Sequence, residues 1–584
     1  MPFRVDVVGR TIAFIGKTAI IARKAMTYAA SPRVAASARY PSSIPTPAKI
    51  WTRPDGQTRI KDPAALIIND TLSLFELFAA YSIVRGAAAP RERTHSRAST
   101  MCPERHLSAK LLVTGVACIS ITMAGLVRPV MAQTIDWPTF GGNAQRNNYN
   151  AAETILSPST VPGLKELWRR ALGIDYAYQP SLVRQVTTPT GTFDLLFVTL
   201  PQGVVTALNA ANGKVIWSTR IPPTQLSCPG TTAQKGIGEP ATIDIANSLA
   251  FVVDAGGLLH ALSLSTGAEM AGYPVEVIDG PNLAAPTWVH FASPTLVGTN
   301  LYIGTAAMGN CESPSVPYHG QVIEFDTTTI SVVQRFFPLG NGAVVGGGFW
   351  GTGGLAAEAD GSYLWGATAN ALPPPQNTGN AEKIVQLDMS LNQIAAAGPI
   401  LPPSGDLDFG STPLLFQPTG CPPMLAAMNK SGVLLTYNRT DLAAGPVQLL
   451  NISNGNGSSK FIGMPSFDPV TNAVYVSNPK DSANSVFLHG LIALQANASC
   501  QLSLLWQQTV GPNGNASPAV TPFIANGVVY YAEGNASEMT AFNAASGAAL
   551  WSSGTLPGFT KAPPLVVNGQ VFVGAGQFMY AYGL

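Results

Sequence analysis

Residues 203–217 read GVVTALNAANGKVIW, and the way this stretch recurs decides the fold. Its first half alternates branched and small apolar residues, the pattern of a strand with one face buried. Asn-Ala-Ala-Asn-Gly then supplies turn chemistry, and a second short strand ends at Trp217. Variants follow as GLLHALSLSTGAEM (257–270), GQVIEFDTTTISVV (320–333), EKIVQLDMSLNQI (382–394), GVLLTYNRTDLAAG (432–445), GLIALQANASCQLSLLW (490–506), EMTAFNAASGAALW (538–551) and QFMYAYGL (577–584). Aligned on Ala207, Ala261, Glu324, Gln386, Thr436, Ala493, Ala541 and Ala581, they lie 40 to 63 residues apart, the period of a radial or stacked β array.

Between the copies, LAFVVDAGG, LYIGTAA, AVYVSNP, VVYYAEG and VFVGAGQ supply further short strands. Each unit then holds about four strands, the content of a propeller blade. The last copy stops at AYGL without its Trp strand, whereas LKELWRR (164–170) is a Trp strand without a unit. The expectation is an all-β, eight-bladed propeller of four-stranded antiparallel blades over 133–584. The N-terminal strand completes the final blade, and that closure removes exposed sheet edges.

The 584 residues are 46% hydrophobic and only 11% charged. Residues 1–132 hold 18 Lys and Arg against 7 Asp and Glu, while the remainder holds 15 against 25. An acidic, charge-poor main body argues against a nucleic-acid surface. Near the change of composition, Met101 is followed by Arg105, Lys110, the apolar run LLVTGVACISITMAGLV and then RPVMA, with Val130 and Ala132 at cleavage-site positions. This reads as a signal peptide over 101–132, too short for a transmembrane span, with translation starting at Met101 and residues 1–100 a non-native or disordered leader. The expected location is periplasmic or secreted. Export makes Cys228, Cys311, Cys421 and Cys500 candidates for two disulfides, with three pairings open. No C-x-x-C-H run exists to attach haem.

GVVTALNAANGKVIW, with the opening segment DWPTFGGNAQRNNYN (136–150) and the following SPSTVPGLKELW, resembles the pyrroloquinoline-quinone (PQQ) type β-propeller superfamily. Its quinoprotein branch holds a calcium ion and the quinone with a Glu, an Asn and an Asp, and sets a cation near the quinone oxygens. The resemblance implies Glu312 (in MGNCESPSVPYHG), Asn370 (in GSYLWGATANALPPP) and Asp408 as metal ligands, and Lys430 (in AAMNKSGVLLTY) as the cofactor-binding cation. Hard oxygen donors suit calcium, which polarises the quinone. Ala369 departs from the family's Thr-Gly-Asn pattern. The stretch VVGGGFWGTGG (344–354) lacks the ending of a phosphate loop, so no nicotinamide nucleotide is expected. Its Gly348 and Trp350 are read as backbone crowding the axis and as a wall of the cofactor site.

GDLDFGSTP (405–413) carries Asp406 and Asp408, which share one face if the stretch is a strand. Both are candidate general bases, Asp408 at the start of the strand and Asp406 in the preceding turn. Plainer roles exist for each residue: a solvated loop for Glu312, a turn cap for Asn370, a hairpin charge for Lys430, and an inter-blade link to backbone amides for Asp408. His260, His290, His319 and His489 show no metal spacing and are read as structural.

The resulting expectation is an exported quinoprotein-like oxidoreductase acting on a small alcohol-type substrate, with PQQ and calcium as cofactors and a separate electron acceptor. Two alternatives come from the same superfamily. One is a secreted tetrathionate hydrolase of an acid-living bacterium, consistent with low charge; the other is a non-catalytic envelope propeller that binds protein partners.

Overall fold

The computed structural model describes the backbone of residues 6–7, 10–11, 51–52 and 58–59, and residues 134–584 except 174–177, 226–233, 279–291, 307–318, 341–345, 371–378, 399–406, 455–462, 515–519, 534–537 and 558–562. The chain divides into two units, Met1–Thr122 and Met123–Leu584. In the first, only two short ladders are described: Asp6–Val7 with Arg10–Thr11, and Trp51–Thr52 with Thr58–Arg59. Residues 101–132, expected to be a signal peptide, lie outside the described residues. No described helix is long and apolar enough to cross a membrane.

The second unit is an eight-bladed propeller. Blades 1 to 7 span residues 181–220, 242–276, 295–336, 356–397, 414–451, 466–508 and 523–552, each a four-stranded antiparallel meander. Blade 8 has three strands from residues 565–583, and its fourth is Lys165–Ala171, paired antiparallel with Phe578–Gly583. The N-terminal strand therefore closes the ring. Most innermost strands are two or three residues long and buried, as in Leu414–Phe416, with Ser181–Thr188 of blade 1 the long exception; outer strands such as Val215–Arg220 expose several of their residues.

The repeated turn and Trp form a lock between neighbouring blades. Trp168, Trp217, Trp506 and Trp551 donate their indole N–H to Ala210, Leu264, Ala544 and Leu164 carbonyls at 2.8–3.0 Å. The first three of these carbonyls belong to the polar turn of the next blade. The turn glycine lies beneath the ring: Gly213 has φ +65°, and a Cβ there would stand 2.5 Å from Trp168. The sequence spacing from turn Gly to Trp thus reflects inter-blade packing, with Trp168, Trp217 and Trp506 covering Gly213, Gly267 and Gly547 of the next blade.

Residues 136–150 form a strap that reaches every blade. Trp137 exchanges both main-chain hydrogen bonds with Leu182 of blade 1, and Pro138 O accepts from Ile243 N of blade 2. Arg146 donates to Thr295 Oγ1 of blade 3 at 2.9 Å, and Ala144 O accepts from Ala357 N of blade 4. Phe140 shares a buried cluster with Leu414 and Phe416 of blade 5, and Asn148 Nδ2 is 3.6 Å from the sulfur of Met464, which leads into blade 6. Tyr149–Asn150 adds a parallel strand to blade 7, and Asn150 Nδ2 donates to Val566 O of blade 8 at 2.9 Å. Cys421 and Cys500, on blades 5 and 6, form a disulfide. Cys228 and Cys311 lie outside the described residues.

Candidate functional site

Four of the candidates named from separate motifs interlock where blades 4 and 5 begin. Asp408 leads into the inner strand of blade 5, and the strand expected to start there is reduced to a single bridge between Phe409 and Asn429. Its carboxylate is buried, with the side chain 5% exposed. Oδ2 accepts from Lys430 Nζ at 2.7 Å, and Oδ1 accepts from the Asn370 backbone N–H at 2.6 Å. The main chain repeats the tie, because Lys430 N donates to Asp408 O at 2.9 Å.

Asn370 adopts φ +60°, a left-handed conformation that Asn tolerates better than most residues. Its side-chain Oδ1 accepts from Trp350 Nε1 at 2.9 Å, and Lys430 Nζ lies 5.0 Å from the centroid of the Trp350 ring. A cation facing an indole adds to the attraction of the ion pair. The glycine run carries this geometry. Gly346 has φ +124°, and a Cβ there would stand 2.5 Å from Asn370 O; Gly347 N donates to that oxygen at 3.1 Å. Gly348 bridges Ala369, whose N–H donates to Gly348 O at 2.7 Å. The backbone crowding expected of this stretch is therefore directed at the Asn370 loop.

Asn370, Asp408, Lys430, Trp350 and Gly348 thus come together, while Glu312 and Asp406 lie outside the described residues. The inter-blade role weighed for Asp408 is present as well, since the amide it binds belongs to the segment after a blade 4 strand. Chemically, the cluster offers a buried carboxylate against a part-exposed ammonium, an amide oxygen and an aromatic face.

A second titratable cluster, unmarked by motif, lies in blade 2. Glu239 is fully buried and accepts from Val253 N at 2.8 Å; burial pushes its carboxyl well above the ordinary range. His260 Nδ1 is 2.7 Å from Glu269 Oε2, and Nε2 is 3.7 Å from Asp254 Oδ2. Burial pushes the imidazole down, but Asp254 and Glu269 outweigh it and raise it to about 9. A His raised in the fold stabilises most below its unfolded value near 6.5 and loses that contribution as pH rises toward 9. Unfolding free energy should fall by roughly 3 kcal/mol from this residue between those limits. Urea titrations of wild type and His260→Gln at pH 6 and 9 check it; parallel pH profiles would show that His260 contributes nothing.

The family resemblance can now be set beside known proteins. The family described as "Glucose/ethanol/alcohol dehydrogenase, beta-propeller domain" matches residues 137–343, and the one described as "Outer membrane protein assembly factor BamB" matches residues 500–582. Among solved structures, a europium-containing methanol dehydrogenase is similar over 77% of this chain and 98% of its own, at TM-score 0.59 and 13% identity. A quinohemoprotein alcohol dehydrogenase from Comamonas testosteroni is similar over 77% and 80%, at TM-score 0.57 and 15% identity. No curated protein matches the sequence. The unit first read at 203–217, seen now as blade after blade around a closed ring, gives the chain the fold of these dehydrogenases, and over residues 137–343 its sequence is similar to their PQQ-type β-propeller domain.

Proposed function

We propose that this propeller is an exported quinoprotein-like oxidoreductase that oxidises a small alcohol-type substrate at the cluster formed by blades 4 and 5, on the propeller axis. The supporting observation is the interlock of Asp408, Lys430, Asn370 and Trp350, four residues drawn from four motifs. The residues present suit the cofactors of the quinoprotein branch. Asn370 Oδ1 and the Asp408 carboxylate are hard oxygen donors for calcium, with Glu312 as the proposed third; Trp350 offers a ring face and Lys430 a positive charge for an anionic quinone. When bound, the quinone supplies a two-electron acceptor and the calcium a Lewis acid that polarises it.

The chain's own contribution is proton handling and positioning. The Asp408 carboxylate is the acceptor of the substrate hydroxyl proton, through the lone pair that Oδ2 keeps beside its bond from Lys430, while Oδ1 holds the Asn370 amide. Lys430, 19% exposed against 5% for Asp408, holds the carboxylate and connects it toward solvent. Trp350 fixes the Asn370 side chain through its indole N–H. Electrons leave to a separate acceptor, since the sequence has no haem-attachment run.

The test is reconstitution of the purified protein with PQQ and calcium. A bound quinone absorption band and calcium-dependent dye reduction with short alcohols are expected. A protein that stays colourless and inert rejects the proposal, and tetrathionate cleavage by that colourless protein would favour the hydrolase reading instead.

A further inference from the structure

The cleft between blades 7 and 8 carries binding chemistry of its own. The outer strand of blade 7, Ala549–Ser552, has four residues where that of blade 1, Val215–Arg220, has six. Its Trp551 meets the blade 8 strand Phe578–Gly583, where Phe578, Tyr580 and Tyr582 follow the period-two spacing of one strand face. A cavity of about 630 Å³ lies there, lined by these three rings, Trp551, Glu166 and Arg169. That volume is within the range of small-molecule sites.

Its lining selects for a particular chemistry. Trp551 meets Tyr582 edge-on at 5.0 Å, and Tyr580 and Tyr582 lie nearly parallel, 12° apart. Tyr580 and Tyr582 are almost buried and form the floor, while Trp551 and Phe578 are half-buried and present ring surface. Glu166 and Arg169 pair at 3.4 Å, so the two opposite charges cancel and select neither an anion nor a cation. Together they offer a carboxylate that accepts and a guanidinium that donates, a match for adjacent hydroxyl groups. Aromatic surface beside a neutral donor–acceptor fork suits a ligand with apolar faces and a hydroxylated edge. We propose that this cleft binds a neutral saccharide of one or two pyranose rings, independently of the blade 4–5 cluster.

Because blade 8 joins the two ends of the propeller, a ligand here bridges the closure and raises the melting temperature by mass action. The experiment is calorimetric and thermal-shift titration of the full chain with maltose, cellobiose and N,N′-diacetylchitobiose, with glucuronate and indole as contrasts. Saturable binding of at least one neutral disaccharide is expected, weakened at least tenfold in Glu166→Gln, Arg169→Ala and Phe578→Ala. Glu166→Gln and Arg169→Ala should melt like wild type without ligand, since an exposed pair contributes little. Asp408→Asn should bind as wild type does. The proposal is overturned if no neutral disaccharide binds, if indole alone binds, or if affinity is indifferent to all three cleft substitutions.

Discussion

Asp408→Asn should lower turnover on the order of 10³-fold, the scale of losing a positioned general base, and it should also destabilise the protein. Asn retains an oxygen for the Asn370 amide, so the loop geometry is kept. It removes the negative charge opposite Lys430, in a pair whose side chains are 5% and 19% exposed. Breaking a buried pair from one side costs about 3 kcal/mol or more; the part-exposed lysine sets this case at the lower end. The double variant Asp408→Asn/Lys430→Met separates the two effects, because removing both charges leaves no countercharge missing. It should recover most of the stability and none of the activity. Urea titration and dye-reduction kinetics on wild type, both single variants and the double variant make the measurement. Turnover within threefold of wild type in Asp408→Asn would reduce the residue to its inter-blade hydrogen bond, and additive stabilities would mean that the pair does not couple.

The sequence revealed the ring more readily than the contacts that hold it shut. Turn glycines and terminal tryptophans repeat because each Trp must cover the next blade's turn, so a packing rule between blades leaves a trace within each. The orphan strand at Lys165–Ala171 was legible for a related reason: its Trp168 occupies the position missing from the last unit. A second periodic signal lies in the prolines. Pro180, Pro240, Pro294, Pro413, Pro465, Pro522 and Pro564 stand one or two residues ahead of inner strands, where a missing N–H is tolerated; blade 4 alone has Gly353-Gly354 in that place. The site was legible by motif order, since Asn370, Asp408 and Lys430 each follow or precede a blade strand. Their mutual distances were not, and the strand expected to start at Asp408 is a single bridge at Phe409. Nothing in the spacing of His260 announces Glu269 and Asp254, which the blade 2 hairpin turns bring to its ring. Least legible was Arg146, whose partners on blade 3 lie about 147 positions away in sequence.

Arg146→Met should be the most destabilising single substitution in the strap. The guanidinium is wholly buried, and among the described residues no carboxylate pairs with it. Burial pushes it down to about 9, which still leaves a cation at neutral pH. An unpaired buried charge persists only where hydrogen bonds offset its desolvation. Here it donates to Thr139 Oγ1, to Phe140 O at 3.0 Å, to Ser293 O at 3.3 Å, to Pro294 O at 2.7 Å and to Thr295 Oγ1 at 2.9 Å. Two of these acceptors belong to the strap and three to the inner edge of blade 3, so one side chain fastens the segment that touches all eight blades. Methionine fills much of the volume but satisfies none of the acceptors: Thr139, Pro294 O and Thr295 keep bonds to Thr242 and Leu355, while Phe140 O and Ser293 O lose their donor, at about 1–3 kcal/mol each when left buried and unmet. Relief from burying the charge offsets part of that loss, so the net cost should be about 4 kcal/mol, in the exceptional class for one substitution. Arg146→Lys should recover only a fraction, because an ammonium cannot reproduce the planar fork that reaches both chain segments. Denaturant midpoints give the magnitude, and hydrogen exchange gives the mechanism: protection should be lost first across residues 136–150 while the blade strands retain theirs. A variant with wild-type midpoint and a protected strap would show that the segment is held by its backbone pairing with Leu182 and Ile524 alone, and that the buried charge is incidental to closure.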